Sequence, residues 1–136
     1  MEYNSLDTSL IIRTITNDIP KKRDLVTLLL LHPRKILVVA DYAVIEVVYV
    51  LSKTYNMPRK VLVDKLKYFL RLDNIRYNHE VMDEALELYL GHPKLSFNDC
   101  CLAVQARLDE AVPLWTFDRK LANQLPGAKM LDVAIQ

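Results

Sequence analysis

Glycine is nearly absent: the 136 residues hold two, Gly91 and Gly127. The chain therefore has no Gly-rich phosphate loop, neither a dinucleotide fingerprint nor a P-loop, and the commonest cofactor readings of an α/β protein fall away. Cysteine is as scarce, and the two present, Cys100 and Cys101, are adjacent. Neighbouring cysteines almost never pair, so the sequence argues against a disulfide-stapled secreted domain; the two read as core packing in a reducing compartment. Long apolar runs are missing too. The longest stretch without Asp, Glu, Lys or Arg is Leu25–Pro33, nine residues, against about twenty for a membrane-spanning helix. Met1–Ser5 shows no basic region followed by an apolar stretch, so no secretory signal is expected, and the expected location is the cytoplasm. Neither sign of charge is in excess: 18 basic and 17 acidic residues give a net charge of +1. That total neither demands nor excludes a nucleic-acid partner.

What is present is a globular composition, 51% hydrophobic and 26% charged, in a length that suits one domain spanning residues 1–136. Charge is distributed unevenly along it. Lys53 to Arg76 holds seven basic residues against Asp64 and Asp73, whereas Glu80 to Glu110 holds seven acids against Lys94 and Arg107. Two solvated helix faces would account for this; a polyanion-facing strip beside a cation-binding cluster is the sharper alternative.

Helices dominate the expected elements. Thr8–Asn17 and Lys21–Leu31 read as helices with Pro20 at their junction. The β-branched run Ile36–Ala40 suits a buried strand. Asp41 stands where an N-cap belongs, ahead of a helix over Tyr42–Tyr55. Pro58 opens a helix to about Arg71, with Leu62, Leu66, Phe69 and Leu70 at core-facing spacing. Asn74–Tyr77 is a short strand, and Asn78 caps a helix over His79–Leu90, closed by Gly91 and Pro93. Ser96–Glu110 is a helix, Pro113–Thr116 a strand, Asp118–Gln124 a turn and helical piece, and Lys129–Val133 a last strand. Short apolar strands alternating with helices, with few hairpin signals, predict an α/β fold with a parallel sheet.

The informative residues are acids in apolar company. Glu46 lies in Tyr42-Ala43-Val44-Ile45-Glu46-Val47-Val48-Tyr49-Val50-Leu51, a helix apolar nearly all round. Such a helix is expected to be buried, and a lone carboxylate within it would cost several kcal/mol unless paired or bound to a cation; pairing with an Arg or a place at a helix edge is the plainer alternative for Glu46. Asp7 precedes an apolar run at a strand-to-helix junction, where its ordinary role is N-cap. Asp99 sits in a first helical turn, ordinarily a macrodipole partner. Asp118 follows a strand, where a surface turn would explain it. Taken together, acids at strand ends and on helices over those ends mark the crevice where open parallel sheets bind ligands. Converging carboxylates repel unless divalent cations screen them, and hard cations take oxygen ligands. His32, His79 and His92 offer no zinc-type spacing.

These blocks, Leu6-Asp7-Thr8-Ser9, then Ile45-Glu46-Val47-Val48-Tyr49-Val50-Leu51, Phe97-Asn98-Asp99 and Thr116-Phe117-Asp118, resemble in order the four signature blocks of PIN domains. They are most similar to those of VapC-type toxins of bacterial and archaeal toxin–antitoxin pairs. The resemblance covers essentially the whole chain. It implies an α/β/α sandwich with a mostly parallel five-stranded sheet, and metal-dependent ribonuclease activity leaving 3′-hydroxyl and 5′-phosphate ends. It makes Asp7, Glu46, Asp99 and Asp118 the metal-binding quartet for one or two Mg²⁺ ions, with Mn²⁺ as the alternative. Thr116 matches a hydroxyl position that supports the metal site or a phosphate oxygen, and Ser9 a small polar supporting position. A departure lies at Asp109-Glu110-Ala111-Val112, where a glycine usually precedes the strand.

Hydrolysis would use the metal to generate hydroxide, with Glu46 or Asp118 orienting the water. Lys53, Arg59, Lys60, Lys65 and Lys67 are the candidates for gripping the RNA backbone. The resemblance also implies a homodimer and an antitoxin partner laid across the groove. Leu28, Leu31, Tyr42, Tyr49 and Tyr55 are candidates for that surface, although for most of them core packing is the expectation. Two other classes remain open. A phosphoacceptor receiver domain fits poorly, because Asp7 has no acidic neighbour and Lys129 precedes a strand. A catalytically silent PIN-like RNA- or protein-binding module would be told apart by its lack of metal dependence.

Overall fold

The computed structural model describes residues 1–132. The chain forms two compact units, one over Met1–Met82 and one from Asp83 onward. In the first, the elements run β1 (Glu2–Ser5), α1 (Thr8–Thr16), α2 (Pro20–Leu30), β2 (Lys35–Val39), α3 (Asp41–Lys53), α4 (Arg59–Leu70) and β3 (Ile75–Tyr77), followed by the start of α5 (His79–Gly91). The three strands form one parallel sheet in the order β1-β2-β3, with Glu2 opposite Lys35 and Leu37 opposite Ile75. Parallel neighbours need long crossovers, and each is a pair of helices, α1–α2 and α3–α4. Ile36, Leu37 and Val39 are buried. Successive strand residues point to opposite faces, so both faces of β2 are covered, as its continuous apolar run predicts. At the edge, β1 is exposed, and Lys35 Nζ ties it to β2 by donating to Glu2 Oε2 at 2.7 Å and Asn4 Oδ1 at 2.9 Å.

The core of this unit is built by α3 and α4. In α4 the buried residues are Leu62, Val63, Leu66, Phe69 and Leu70, the i, i+1, i+4, i+7, i+8 stripe of a helix facing a core. In α3 they are Ala43, Val44, Val47, Val48 and Leu51, at i, i+1, i+4, i+5 and i+8, again one face of a helix. Burying each large side chain contributes roughly 1.5–3 kcal/mol. The expected N-cap at Asp41 is not found. Ala40 occupies that position, and the Asp41 carboxylate instead accepts a hydrogen bond from Asn78 Nδ2 at 3.2 Å. The Asp18 carboxylate fastens the turn after α1: it accepts from Arg13 Nη1 at 2.9 Å, Thr16 Oγ1 at 3.0 Å and the Tyr55 hydroxyl at 2.8 Å.

The second unit contains the rest of α5, then α6 (Phe97–Leu108), β4 (Leu114–Thr116), α7 (Arg119–Gln124) and β5 (Ala128–Met130). β4 and β5 pair in parallel across α7. The pairing is parallel throughout, as expected, but the described strands divide into sheets of three and two, not one continuous five-stranded sheet. β4 and β5 are three residues long, and Trp115 and Lys129 at their centres are exposed. They lack the uninterrupted apolar run that buries β2 on both faces. The expected last strand reached Val133, which lies outside the described residues. Cys100 and Cys101 are both buried with Phe97 and Val104 on α6, consistent with core packing, and Phe97 meets the Tyr89 ring edge-on at 5.7 Å.

Helix α6 ends in a Schellman motif. The Glu110 amide donates to Arg107 O at 3.1 Å and the Ala111 amide to Ala106 O at 2.8 Å. Glu110 has φ 54°, the left-handed conformation this motif places just beyond the cap. The segment without its usual glycine therefore contains a backbone position that favours glycine.

Candidate functional site

The first unit contributes two of the four expected acids. Asp7 follows buried Leu6 at the end of β1 and is the N-cap of α1, its extended backbone (φ −75°, ψ 153°) turning the chain into the helix. Its Oδ2 accepts from the Ser9 hydroxyl at 2.6 Å and the Ser9 amide at 3.2 Å. These bonds, the hydroxyl first, hold the carboxyl below its ordinary range, so it is ionised at neutral pH. Ser9 is thus bonded to the acid it follows. It also lines a cleft of about 550 Å³ between α1 and α2, with Leu10, Arg13, Lys22, Leu25 and Leu29.

Glu46 corrects the expectation of burial. It is exposed, on the side of α3 away from the buried stripe. Its neighbours one turn away, Tyr42 and Tyr49, are 88% and 64% exposed. The apolar appearance of α3 arises from tyrosines, whose rings read as core residues in a sequence but whose polar tips suit a wet face. Glu46 thus avoids the desolvation cost foreseen for it, and α1 and α3, which bear Asp7 and Glu46, pack against each other.

In the second unit, Asp99 is half-buried in the first turn of α6, and its amide donates to the Oγ of Ser96, the N-cap, at 3.1 Å. Asp118 is exposed and caps α7; its Oδ1 accepts from the amides of Lys120 at 2.9 Å and Leu121 at 3.4 Å. The Asp118 amide donates to Thr116 Oγ1 at 2.9 Å, so the strand-end hydroxyl orients the acid that follows it. Asp7 with Ser9 and Asp118 with Thr116 are therefore local pairs, each built by a strand end running into a helix. Among the described residues no group of three or more His, Cys, Asp or Glu side chains is positioned to hold a metal ion. The donors at the four acids and two hydroxyls are all oxygen, the chemistry a hard divalent cation requires.

Of the proposed partner-surface residues, most were expected in the core, and the structure reverses this. Leu28 and Leu31 are 69% and 74% exposed, as are Tyr42 and Tyr49 on α3; Tyr55 is half-buried and bonded to Asp18. With Leu25, also exposed, Leu28 and Leu31 form an apolar ridge at i, i+3, i+6 along α2 and its C-cap. The basic residues Lys53, Lys60 and Lys65 are exposed, and Arg59 and Lys67 are half-buried. Tyr68 on α4, three residues from both Lys65 and Arg71, is also exposed, and it lines a cleft together with Arg23 of α2. No helix among the described residues is long and apolar enough to cross a membrane.

No curated protein matches the chain. Among solved structures it is similar to the crystal structure of VapBC2 from Rickettsia felis bound to a DNA fragment from their promoter, at 20% identity, over 96% of this chain and 97% of that one, with a TM-score of 0.41. The family model of the PIN domain matches residues 5–124. Because that match runs from two residues before Asp7 to the end of α7 and takes in all four acids, the chain belongs to the PIN domain family.

Proposed function

We propose that this protein is a metal-dependent endoribonuclease that hydrolyses RNA phosphodiester bonds, the toxin of a VapC-type toxin–antitoxin pair in the cytoplasm. The observation that carries the reading is the family match across residues 5–124, a span that contains Asp7, Glu46, Asp99 and Asp118. That match crosses from the first compact unit into the second, which supports reading 1–136 as one domain.

The four carboxylates are the residues that would hold Mg²⁺, or Mn²⁺ in its place. When bound, the metal supplies Lewis-acid chemistry, lowering the pKa of water and neutralising charge on phosphate oxygens. The protein's part is to keep the ligands ionised and aimed. Ser9 does both for Asp7 by bonding one carboxylate oxygen, and Thr116 helps to aim Asp118 by accepting from its backbone amide. Glu46, on an open helix face, is accessible to substrate and metal without a prior conformational change. The cations Lys53, Arg59, Lys60, Lys65 and Lys67 attract and position the polyanion without reading its sequence.

The antitoxin is the proposed occupant of the α1–α2 cleft. Leu25 lines that cleft with Lys22 and begins an exposed ridge that continues through Leu28 and Leu31, which suits a segment that carries apolar residues and an acid. A homodimer is part of the same proposal.

The test is cleavage of mixed RNA with Mg²⁺ or Mn²⁺ against EDTA, with Asp7→Asn in parallel. Metal-dependent cutting that disappears in folded Asp7→Asn is the expected result. A well-folded protein that cuts no RNA with either metal would replace the nuclease with a silent binding module.

A further inference from the structure

We infer that Tyr68 and the cations around it form a subsite for single-stranded RNA, in which a base stacks on the exposed phenol ring while flanking phosphates meet Arg23, Lys65 and Arg71. The inference deepens the nuclease reading and rests on it, but it concerns a surface of the first unit made by α1, α2 and α4 and uses none of the four acids.

Tyr68 is 77% exposed on α4, next in sequence to fully buried Phe69. Its ring stands between two clefts, of about 480 and 420 Å³, and Asp64, Tyr68 and Leu72 line both. The larger is completed by Lys67, Arg71 and Asp73. The smaller is also lined by Ile15 and Phe69, by Thr14 and Thr27, and by the cations Arg23 and Lys65. On the helix surface Lys65 and Arg71 lie three residues before and after the ring, about 4.5 Å along the axis in each direction. Each is therefore a neighbour of the ring, one on either side along the strip. Arg23 reaches the same cleft from α2, so the positive charge comes from two helices. Of the two acids present, Asp64 is engaged by Lys60 Nζ at 3.1 Å, which leaves the surface positive.

An exposed aromatic ring flanked by cations and bordered by open clefts is the composition of a stacking platform for single-stranded nucleic acid. There the ring takes the face of a base and the cations take the backbone. Duplex would not use it, because its bases present no free face. An acidic peptide would satisfy the cations but leave the ring without a stacking partner.

The experiment measures binding of a fluorescein-labelled single-stranded RNA 12-mer to the full chain by anisotropy, in EDTA so that the strand stays intact. Wild type is compared with Tyr68→Ala, Tyr68→Phe and Lys65→Ala/Arg71→Ala. Tyr68→Ala is expected to weaken binding by about fivefold to 150-fold, the range for loss of one stacked base, with an unchanged salt slope. Tyr68→Phe keeps the ring face and should bind as wild type does. Removing both cations should lower the slope of log K against log salt by about 1.4, two single-strand phosphates. Tyr68→Ala binding RNA as tightly as wild type overturns the subsite. So does Tyr68→Phe failing as badly as Tyr68→Ala, which would make the hydroxyl the contact, or polyglutamate competing for wild type but not for Tyr68→Ala, which would assign the ring to an acidic protein. If metal-dependent cleavage persists in those cases, only the subsite is lost; a wild type that neither binds nor cuts RNA removes the nuclease reading with it.

Discussion

Helices α2 and α4 belong to the same unit and are both rich in leucine and valine, yet the fold uses them differently. α4 buries Leu62, Val63, Leu66, Phe69 and Leu70 along one stripe, whereas α2 buries Val26 alone and leaves Leu25 and Leu28 in solvent. The number of apolar residues is similar; their arrangement is not. In α4 they recur at core-facing intervals, with Lys60, Asp64, Lys65 and Arg71 on the outside. In α2 they crowd positions 25 to 31 all round the helix, so one covered side still leaves others bare. Stability is thus concentrated in α4 and exposed apolar surface in α2, which is where a partner has something to gain.

Substitutions in the two helices test this contrast directly. Phe69→Ala is expected to destabilise the chain by about 3–5 kcal/mol, and Leu66→Ala by about 2–5, because each empties a fully buried site. Chemical denaturation measures both. Leu28→Ala, by the same measurement, should stay within about 0.5 kcal/mol of wild type. A Leu28 cost approaching that of Phe69 would mean that α2 is packed against something in the free protein, and the comparison would fail.

The Phe69→Ala measurement needs headroom, since domains of this kind are only about 5–15 kcal/mol stable. Glu110→Gly should provide a little, raising stability by about 0.5–1 kcal/mol through relief of the left-handed backbone at φ 54°. If Glu110→Gly lowers the melting temperature instead, the Schellman reading of the α6 terminus is wrong.

Smaller still are the carboxylate effects near α1. The Ser9 hydroxyl and amide hold Asp7 below its ordinary range, so Ser9→Ala should let its pKa rise toward the ordinary carboxylate value, followed by NMR titration of the side-chain carboxyl. Asp18 is likewise held low, first by the Tyr55 hydroxyl and further by Thr16 and Arg13. A depressed folded-state value means that each group's stabilising contribution is complete above the unfolded value. It is lost as pH falls through the folded one. Asp18→Asn should therefore lower stability at neutral pH, where the contribution is complete, and flatten the acid side of the stability profile below about pH 4, where wild type loses it as well. An acid limb as steep as that of wild type would remove Asp18 from the account.

Much of the local structure was legible beforehand. Asp7 stands at a helix start that its short polar side chain announces and accepts a backbone amide hydrogen bond there; Ser96 and Asp118, read as the first helical residue and a turn residue, do the same. The stripe of α4 and the buried run of β2 follow from periodicity. Asp41 was the exception among caps, because a distant residue, Asn78, claimed its carboxylate. The acids of the candidate site were likewise identifiable as residue types, but their surroundings were not. Glu46 was expected in a buried helix because Tyr42 and Tyr49 counted as apolar, and Leu28 and Leu31 were expected in the core because leucine usually is.

What the sequence determined by itself is whatever depends on neighbours within about one helical turn or one strand: caps, spans, the amphipathic stripe of α4, the order of acids that marks a PIN domain. What only the tertiary structure decided is which face of each helix meets solvent and how the described parallel strands divide into sheets of three and two. The reason is that burial is a relation between distant segments. An apolar residue is drawn inward by removal from water, but a side chain can be covered only where another element arrives, and nothing local to α2 or α3 says where that will be.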